Sequence, residues 1–475
     1  MSHHAATAPG SSSLLTRLDE SGFTNRHLTL YLTVLTGHFL CGFVINVTGV
    51  TLPGIIATFH LSKDQAGFYS SVLFAGMLVG AALAGSVSDR FGRRVPLAAS
   101  IAIYAVFCLA AVFAWSYPSL LVFRGLQGVG LGAEIAVVLP YIAEFAPSRH
   151  RGPMVTMATS AWLIGTPVAA AIGALVVPAF SWRAMFVIGT LPVLVTLFML
   201  ARLPESVRYL LRSGRAQDAL RIVDRLCPES RGATGDLTVV HGAPFEPAGS
   251  IGSLLGRSYL RYTVALWIME VCGGAFLYGL SGWLPSVLEG QGVGLLKSFG
   301  YTAIITAVGV VGSILAGQLI NRIGRRVVLG VSFLVSGLLC FVWGTASAAV
   351  AVVVLGSLAT FFGSGLGGAT LFAYASELYP TASRATGIGW AAAMQKVGGL
   401  VMPVLVGFVL AMQTSRYAFF VLFGVISIVA GIIALAATFE TKGKTVEEVA
   451  REVAAGRGAP VVAPAALADA GPAGS

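Results

Sequence analysis

The chain is short of charge. Of its 475 residues only 11% are Asp, Glu, Lys or Arg, while 56% are hydrophobic. An ordinary soluble domain carries about a quarter charged residues. A water-soluble fold of this length cannot cover its surface with so few, which excludes a soluble enzyme. A disordered chain is excluded as well, because disorder needs low hydrophobicity and high charge. Acidic residues are the scarcer sign, 20 against 30 basic, leaving a formal charge of +10. That excess does not mark a nucleic-acid binder, since the arginines are dispersed through short loops instead of gathered on one element.

Cysteine is also sparse. Cys41, Cys108, Cys227, Cys272 and Cys340 form no CxxC pair, so neither a disulfide framework nor a zinc site is expected. Residues 1–26 hold no apolar stretch behind a charged start, so no cleavable signal peptide is expected. No metal cluster, nucleophile elbow or Gly-rich phosphate loop is present. The expectation is a protein without cofactor or metal that is not an enzyme.

What the chain has is long apolar runs and 58 glycines. A membrane helix needs roughly 20 apolar residues, and about twelve such runs lie near 28–58, 68–88, 95–115, 118–142, 154–177 and 183–203, then 260–288, 301–321, 327–348, 350–375, 386–411 and 416–438. Only helices satisfy their own backbone inside lipid. The expected fold is an all-α membrane protein of twelve transmembrane helices. The polar stretch 204–258 divides it. Within that stretch Leu210, Leu211, Leu220, Val223 and Leu226 alternate with Arg208, Arg212, Arg215, Arg221 and Arg225, which reads as a basic amphipathic helix lying on a membrane surface. The rest, 228–250, reads as linker.

Basic residues in short loops set orientation. One side carries Arg90, Arg93, Arg94, Arg149, Arg151, Arg322, Arg325, Arg326 and Arg384; the other carries only Lys63, Arg183, Lys297 and Arg416. The central loop and both ends fall on the arginine-rich side, which is therefore expected to be cytoplasmic. The expected organisation is a cytoplasmic tail at 1–27, a six-helix half at 28–203, the cytoplasmic loop 204–258, a second half at 259–438 and a cytoplasmic tail at 439–475, disordered after about 452.

An internal repeat supports the two halves. Gly85-Ser-Val-Ser-Asp89-Arg90-Phe-Gly92-Arg93-Arg94 recurs as Gly317-Gln-Leu-Ile-Asn321-Arg322-Ile-Gly324-Arg325-Arg326, at a constant offset of 232. Leu52-Pro53 and Leu284-Pro285 share that offset. Glu144-x-x-Pro147-x-x-x-Arg151 recurs as Glu377-x-x-Pro380-x-x-x-Arg384 at offset 233. Three separate matches at nearly one offset make the chain two six-helix, pseudo-symmetric halves in parallel repeat.

The loop G-x-x-x-D-R-x-G-R-R after the second span resembles the signature of the major facilitator superfamily, over about residues 28–450. Pro204-Glu205-Ser206-Val207-Arg208 and Glu440-Thr441-Lys442-Gly443-Lys444 resemble the sugar-porter branch. Gly128-x-Gly130-x-Gly132-Ala133-Glu134 in span four and Tyr278-Gly-Leu-Ser-Gly-Trp283-Leu284-Pro285 in span seven are more similar to the metabolite:proton symporters, which carry aromatic acids, nicotinate and related anions. The resemblance implies alternating access around a central site, in a multi-pass protein of the cell (inner) membrane. Two departures stand out. Acid symporters resemble Asp-Gly-x-Asp in span one, where this chain has Cys41-Gly42-Phe43-Val44. The glutamine-rich run of sugar porters in span seven is replaced by Gly273-Gly274-Ala275-Phe276, which disfavours sugar.

The repeated loops supply a candidate cytoplasmic gate: Gly85, Asp89, Arg90, Gly92, Arg93, Arg94, Glu144, Arg151, Glu205 and Arg208 in the first half, and Asn321, Arg322, Arg326, Glu377, Arg384 and Glu440 in the second. Arg–carboxylate pairs there would hold the halves together while the site faces outward. Exposed pairs contribute only about 0–1 kcal/mol each, so several must act together. The competing reading is topology alone, which accounts for the sign of charge but not for the repeated spacing. Asn321 replaces the acid in the second copy, so that half should carry the weaker network.

Inside lipid an ionisable residue is costly and is a site candidate by default. These are His38, Arg124, Glu134, Glu270 and Lys396. Arg124, Glu134 and Lys396 align with Ser357, Gly367 and Leu163 in the opposite half, so they break the symmetry and suit a particular substrate. Gln127 and Glu134 share one helical face within about 20°, with Arg124 about 60° from Gln127. Arg124, Gln127 and Lys396 are candidate anchors for a carboxylate; Tyr278 and Trp283 offer a stacking surface. Arg124 could instead be a structural ion pair, with Glu134 among its partners, and Lys396 could snorkel. The resemblance favours Lys396, since organic-acid symporters carry a basic residue there before Gly398-Gly399. Glu134 is the leading proton carrier, with His38 and Glu270, which occupy equivalent positions, as further candidates; each could equally be a structural or solvated group.

The leading function is proton-coupled uptake of a small organic acid, aromatic or heteroaromatic, by a monomer whose partners are the substrate anion, protons and the bilayer, with no nucleic acid. The alternatives are an uncoupled facilitator or exporter of a sugar or other metabolite, and a transporter-like membrane sensor.

Overall fold

The structure is a computed structural model that describes residues 14–230, 251–290, 292–412, 417–444 and 446–454. Most of the expected linker and the end of the C-terminal tail fall outside the described residues. So does the side chain of Asp89.

Among the described residues twelve helices are long and apolar enough to cross a membrane. They are α1 (Asn25–Phe59), α2 (Lys63–Phe91), α3 (Arg94–Val112), α4 (Tyr117–Phe145), α5 (Ser148–Ala179) and α6 (Trp182–Arg202), then α7 (Leu260–Glu289), α8 (Leu295–Ile323), α9 (Arg325–Thr345), α10 (Ala349–Leu378), α11 (Thr381–Ala411) and α12 (Tyr417–Ala437). Local chemistry sets their starts. Thr24 and His27 form a capping box at α1, and Ser116 and Ser119 one at α4, satisfying amide groups that a helix N-terminus leaves free. Pro147 and Pro380, repeat-related, stand at the N-caps of α5 and α11. The repeated proline thus begins a span in each half.

The packing is pseudo-symmetric. In the first half α1 lies against α5, α2 against α4 and α3 against α6; in the second α7 lies against α11, α8 against α10 and α9 against α12. The halves meet along α2–α11, α5–α8 and α1–α7. Glycine sets the tightest approaches. A Cβ on Gly128 would lie 2.1 Å from the Leu73 carbonyl oxygen, and one on Gly132 would lie 2.0 Å from that of Met77, so α4 rests on the α2 backbone. Such small-residue contacts are how helices associate in lipid.

The seam between halves is closed at one end only. On α2, Gly67 sits 2.7 Å, by its would-be Cβ, from the Pro403 oxygen of α11, and Gly407 of α11 sits 2.6 Å from the Lys63 oxygen. Eighteen residues along each helix the same face recurs, at Gly85 and Gly389. There a Cβ would meet nothing within 4 Å. Gly152 of α5 and Gly317 of α8 are equally open. The arginine-rich end is splayed and the opposite end is sealed.

Two helices of the second half are irregular. Ala275–Gly279 of α7 and Phe361–Gly367 of α10 are π-helical and touch one another. Their repeat-related stretches in α1 and α4 are regular.

The amphipathic stretch after α6 is two short helices, Val207–Arg212 and Ala216–Leu226. The expectation that it lies on a membrane surface is corrected. Its apolar face, Leu210, Ala219, Val223 and Leu226, is buried in one cluster with Leu14 and Leu18 of the helix Leu14–Glu20, and Arg17 donates to Asp224 Oδ1 at 2.7 Å. Protein covers that face. Burial pushes the neighbouring Cys227 thiol above its ordinary range.

Candidate functional site

Among the described residues the seam holds the cation Lys396, half-way along α11. Lys396 of α11 is 7% exposed. Its Nζ donates to the Tyr278 hydroxyl and to Gln395 Oε1, both at 2.9 Å. Both partners are neutral. Snorkelling is thereby set aside, because the ammonium turns into the protein. Aromatic rings gather around it. Lys396 Nζ lies 5.1 Å from the Tyr278 centroid, and that ring is 4.6 Å from Phe74 of α2 and 6.2 Å, edge-on, from Trp162 of α5. Phe74 and Trp162 belong to the first half and Tyr278 to the second, so the cluster spans the seam. Gly399 makes room for it: a Cβ there would lie 2.7 Å from Phe74 and 2.9 Å from Tyr278.

A second cluster lies inside the first half. His38 Nδ1 of α1 is 3.1 Å from Oε1 and 3.2 Å from Oε2 of Glu134 on α4, and both residues are buried. The ion-pair partner entertained for Glu134, Arg124, stands ten residues away on the same helix, about 15 Å of rise. His38 takes its place. Cys41 joins them, with its sulfur and the donor atoms of the other two within 4.8 Å of one another. By reach alone these three could hold a metal ion. One observation opposes it: His38 and Glu134 already satisfy each other. We therefore treat them as a hydrogen-bonded pair beside a thiol, not as ligands.

Arg124 is fully buried within the first half. It donates to Gln127 Oε1 at 2.6 Å and to the Thr48 hydroxyl, and its guanidinium faces the rings of Tyr69 and Phe186 at 5.4 and 5.5 Å. No carboxylate pairs with it among the described residues. These partners of Arg124 all belong to the first half, whereas Lys396 and its partners belong to the second. Trp283 stands apart too: it is sealed between α7 and α11, donating its indole N–H to the Pro403 oxygen at 3.2 Å. Glu270 is buried on α7 near the α7–α11 crossing.

The repeated loops form two near-identical charge clusters. Glu205 accepts from the backbone N–H groups of Arg93, Arg94 and Ser206 at 2.6, 3.1 and 2.8 Å. Glu440 does the same for Arg325, Arg326 and Lys442 at 2.8, 3.1 and 2.9 Å. Each acid caps the N-terminus of α3 or α9, where negative charge is favoured. Arg93 donates to Glu144 Oε1 at 2.7 Å while Ser206 binds its other oxygen; Arg325 donates to Glu377 Oε1 at 2.8 Å while Thr441 binds its other oxygen at 2.6 Å. The glycines follow from this. Gly92 and Gly324 have φ of +84° and +111°, and a Cβ on either would lie within 2.6 Å of the capping carboxylate.

Every one of these bonds stays within one half. The idea that they tie the halves together does not describe this conformation. Arg151 pairs with Asp19 of the N-terminal helix, and Arg94 and Arg326 donate to the Leu200 and Leu435 carbonyls. The Arg90 carbonyl accepts from Tyr209, and that of Arg322 accepts from Lys442. Arg208 and Asn321 are exposed and Arg384 is half-buried. Asn321 stands where the first copy has Asp89, whose side chain lies outside the described residues, and the described bonds of the second cluster are built by Glu377 and Glu440.

Sequence reasoning missed Phe74, Trp162, Gln395, Thr48 and Asp19 as members of these groups. It also missed the pairing roles of Ser206 and Thr441, for which a signal existed: each follows its capping glutamate directly.

A sequence profile of the Major Facilitator Superfamily matches residues 34–398 and 302–469. The chain belongs to the Major Facilitator Superfamily. Among curated members it is 29% identical over 436 residues to the niacin transporter NiaP of Acinetobacter baylyi, covering 92% of this chain and 99% of that one. It is 30% identical to the putative niacin/nicotinamide transporter NiaP of Bacillus subtilis, covering 83% and 93%. The 4-hydroxybenzoate transporter PcaK of A. baylyi is 26% identical, covering 76% and 80%. Among solved structures a D-xylose-proton symporter matches with a TM-score of 0.70 at 21% identity, over 88% of this chain and 99% of that one. The inward-open xylose transporter XylE of E. coli matches with a TM-score of 0.68, also at 21% identity, over 90% and 99%. These matches share the fold. The relatives are transporters, and the chain is a multi-pass membrane transporter rather than an enzyme.

Proposed function

We propose that this protein takes up a small aromatic or heteroaromatic acid anion across the cell's inner membrane, together with a proton, by alternating access. The observation that carries the reading is Lys396: a buried ammonium in the seam, bound among the described residues only by neutral groups and walled by Phe74, Trp162 and Tyr278. Burying a charge without a counter-charge is expensive, and a carboxylate bound there relieves that cost while its ring meets the aromatic wall. The niacin and 4-hydroxybenzoate carriers named among the relatives fit such a site.

The proton rides on the His38–Glu134 pair. Two groups in hydrogen-bond contact can share one proton or hold two, so the pair changes net charge without leaving its place. An anion entering at Lys396 alters the potential at this pair, and the two bindings favour each other. The arginine-rich face is cytoplasmic by the positive-inside rule, so both ends of the chain are cytoplasmic and the splayed seam opens inward. The whole seam belongs to one chain, and the monomer is the working unit.

Uptake into proteoliposomes tests this, with nicotinate, benzoate, 4-hydroxybenzoate and xylose, with and without a pH gradient. Uptake of the aromatic acids above that of xylose, increased by an inward proton gradient, is expected. Transport of xylose alone overturns the reading. Aromatic-acid uptake indifferent to the gradient leaves a facilitator, the alternative suggested by Cys41 and Val44 standing where acid symporters have acids.

A further inference from the structure

One buried acid has no part in the site as described. Glu270 of α7 is 4% exposed, and among the described residues it has neither an ion-pair nor a hydrogen-bond partner. It is not far from a counter-charge. The backbones of α7 and α11 touch beside it: a Cβ on Gly274 would lie 2.0 Å from the Gln395 oxygen, and one on Gly398 would lie 2.1 Å from the Val271 oxygen. Val271 adjoins Glu270 and Gln395 adjoins Lys396. The two glycines therefore bring this carboxylate and this ammonium to one helix crossing. The other titratable neighbour is Tyr379, at the end of α10, whose hydroxyl lies 3.2 Å from the Thr263 hydroxyl and which feels the Glu270 charge. The α12 helix, also packed on α7, contains no charged residue.

An anion carrier has two closed states to pass through. When loaded, the substrate carboxylate accompanies Lys396. When empty, the ammonium must cross the closed state without it, and a buried charge with no partner is strongly disfavoured. We propose that Glu270 is the internal counter-ion of the empty carrier. It turns to Lys396 once the substrate has left and so permits the return step. Glu270 acts through Lys396 and does not touch the substrate, so it is a positioning residue. The inference rests on the reading of Lys396 as the substrate anchor.

The two steps separate experimentally. Exchange of labelled for unlabelled substrate uses the loaded carrier in both directions, whereas net uptake also needs the empty return. Reconstituted Glu270→Gln should keep nicotinate or benzoate exchange within about twofold of the parent protein. Its net uptake should fall about a hundredfold, the scale of leaving one member of a buried ion pair uncompensated. Glu270→Asp, which keeps the charge, should restore net uptake. Loss of exchange and net uptake in equal measure in both variants, or net uptake intact in Glu270→Gln, overturns the proposal. Lys396→Ala in the same assay checks the foundation separately: if it still exchanges either anion, the anchor reading fails first.

Discussion

His38 on α1 and Glu134 on α4 hold each other through a single imidazole nitrogen that reaches both carboxylate oxygens, at 3.1 and 3.2 Å. Neither residue has a counterpart of its own kind in the second half, where Glu270 and Gly367 occupy the matching positions. In the proposed function the proton-holding pair is therefore built once, in the first half, and the substrate cation Lys396 once, in the second, so that coupling between them would have to cross the seam.

Glu134→Gln removes the charge while leaving a hydrogen-bond acceptor for His38. We expect substrate exchange to persist and pH-driven accumulation to vanish, measured as the steady-state ratio of internal to external label under an imposed proton gradient. Accumulation equal to that of the parent protein would take the proton away from this pair.

Lys396→Ala should cut anion uptake by about a hundredfold or more, since a hydrogen-bonded charge contact in a desolvated site is worth several kcal/mol. Uptake of a neutral analogue such as nicotinamide should fall far less. Equal losses for both would indicate a damaged fold instead.

Gly67→Trp fills the sealed end of the α2–α11 seam, where a single Cβ already comes within 2.7 Å of backbone. The halves should be held apart there and transport should cease. A cysteine placed at Gly389, on the face now open to the arginine-rich side, should then lose its reactivity toward a water-soluble maleimide. Unchanged labelling would contradict alternating access through this seam.

Gly92→Ala and Gly324→Ala each force a side chain into positive φ and against a capping carboxylate. We expect about 1–3 kcal/mol from the backbone alone, with further loss from displacing Glu205 or Glu440. Thermal unfolding in detergent should show both variants less stable than Gly85→Ala, which has open space at its Cβ. Equal midpoints for all three would discard the capping account.

Much of the fold was legible because hydropathy and repetition are properties of the sequence itself. All twelve spans follow from run length, and the offset shared by Gly92 and Gly324 anticipates two clusters of the same build. The direction of the bonds was not legible. Nothing in the spacing says whether Arg93 reaches Glu144 of its own half or a glutamate of the other, because that depends on which end of the seam is closed. The site was half legible. Lys396 and Tyr278 stand out as a charge at membrane depth and an aromatic in a motif. Phe74 and Trp162 do not, since aromatics are frequent in any lipid-embedded helix and only the crossing of α2, α5 and α7 brings these two to Tyr278. Trp283 sits in the same motif and is sealed away, because five residues of helix turn it to a different face.

Each rim of the splayed seam keeps its carboxylates for itself, as caps for α3 and α9, and carries an excess of arginine and lysine. When the seam shuts at that face, two like-charged rims approach one another. Their repulsion would oppose closure at the arginine-rich side. Across water it is felt over a Debye length of about 8 Å at physiological salt. Raising the ionic strength on that side of the membrane would therefore ease closure there, independently of substrate or proton.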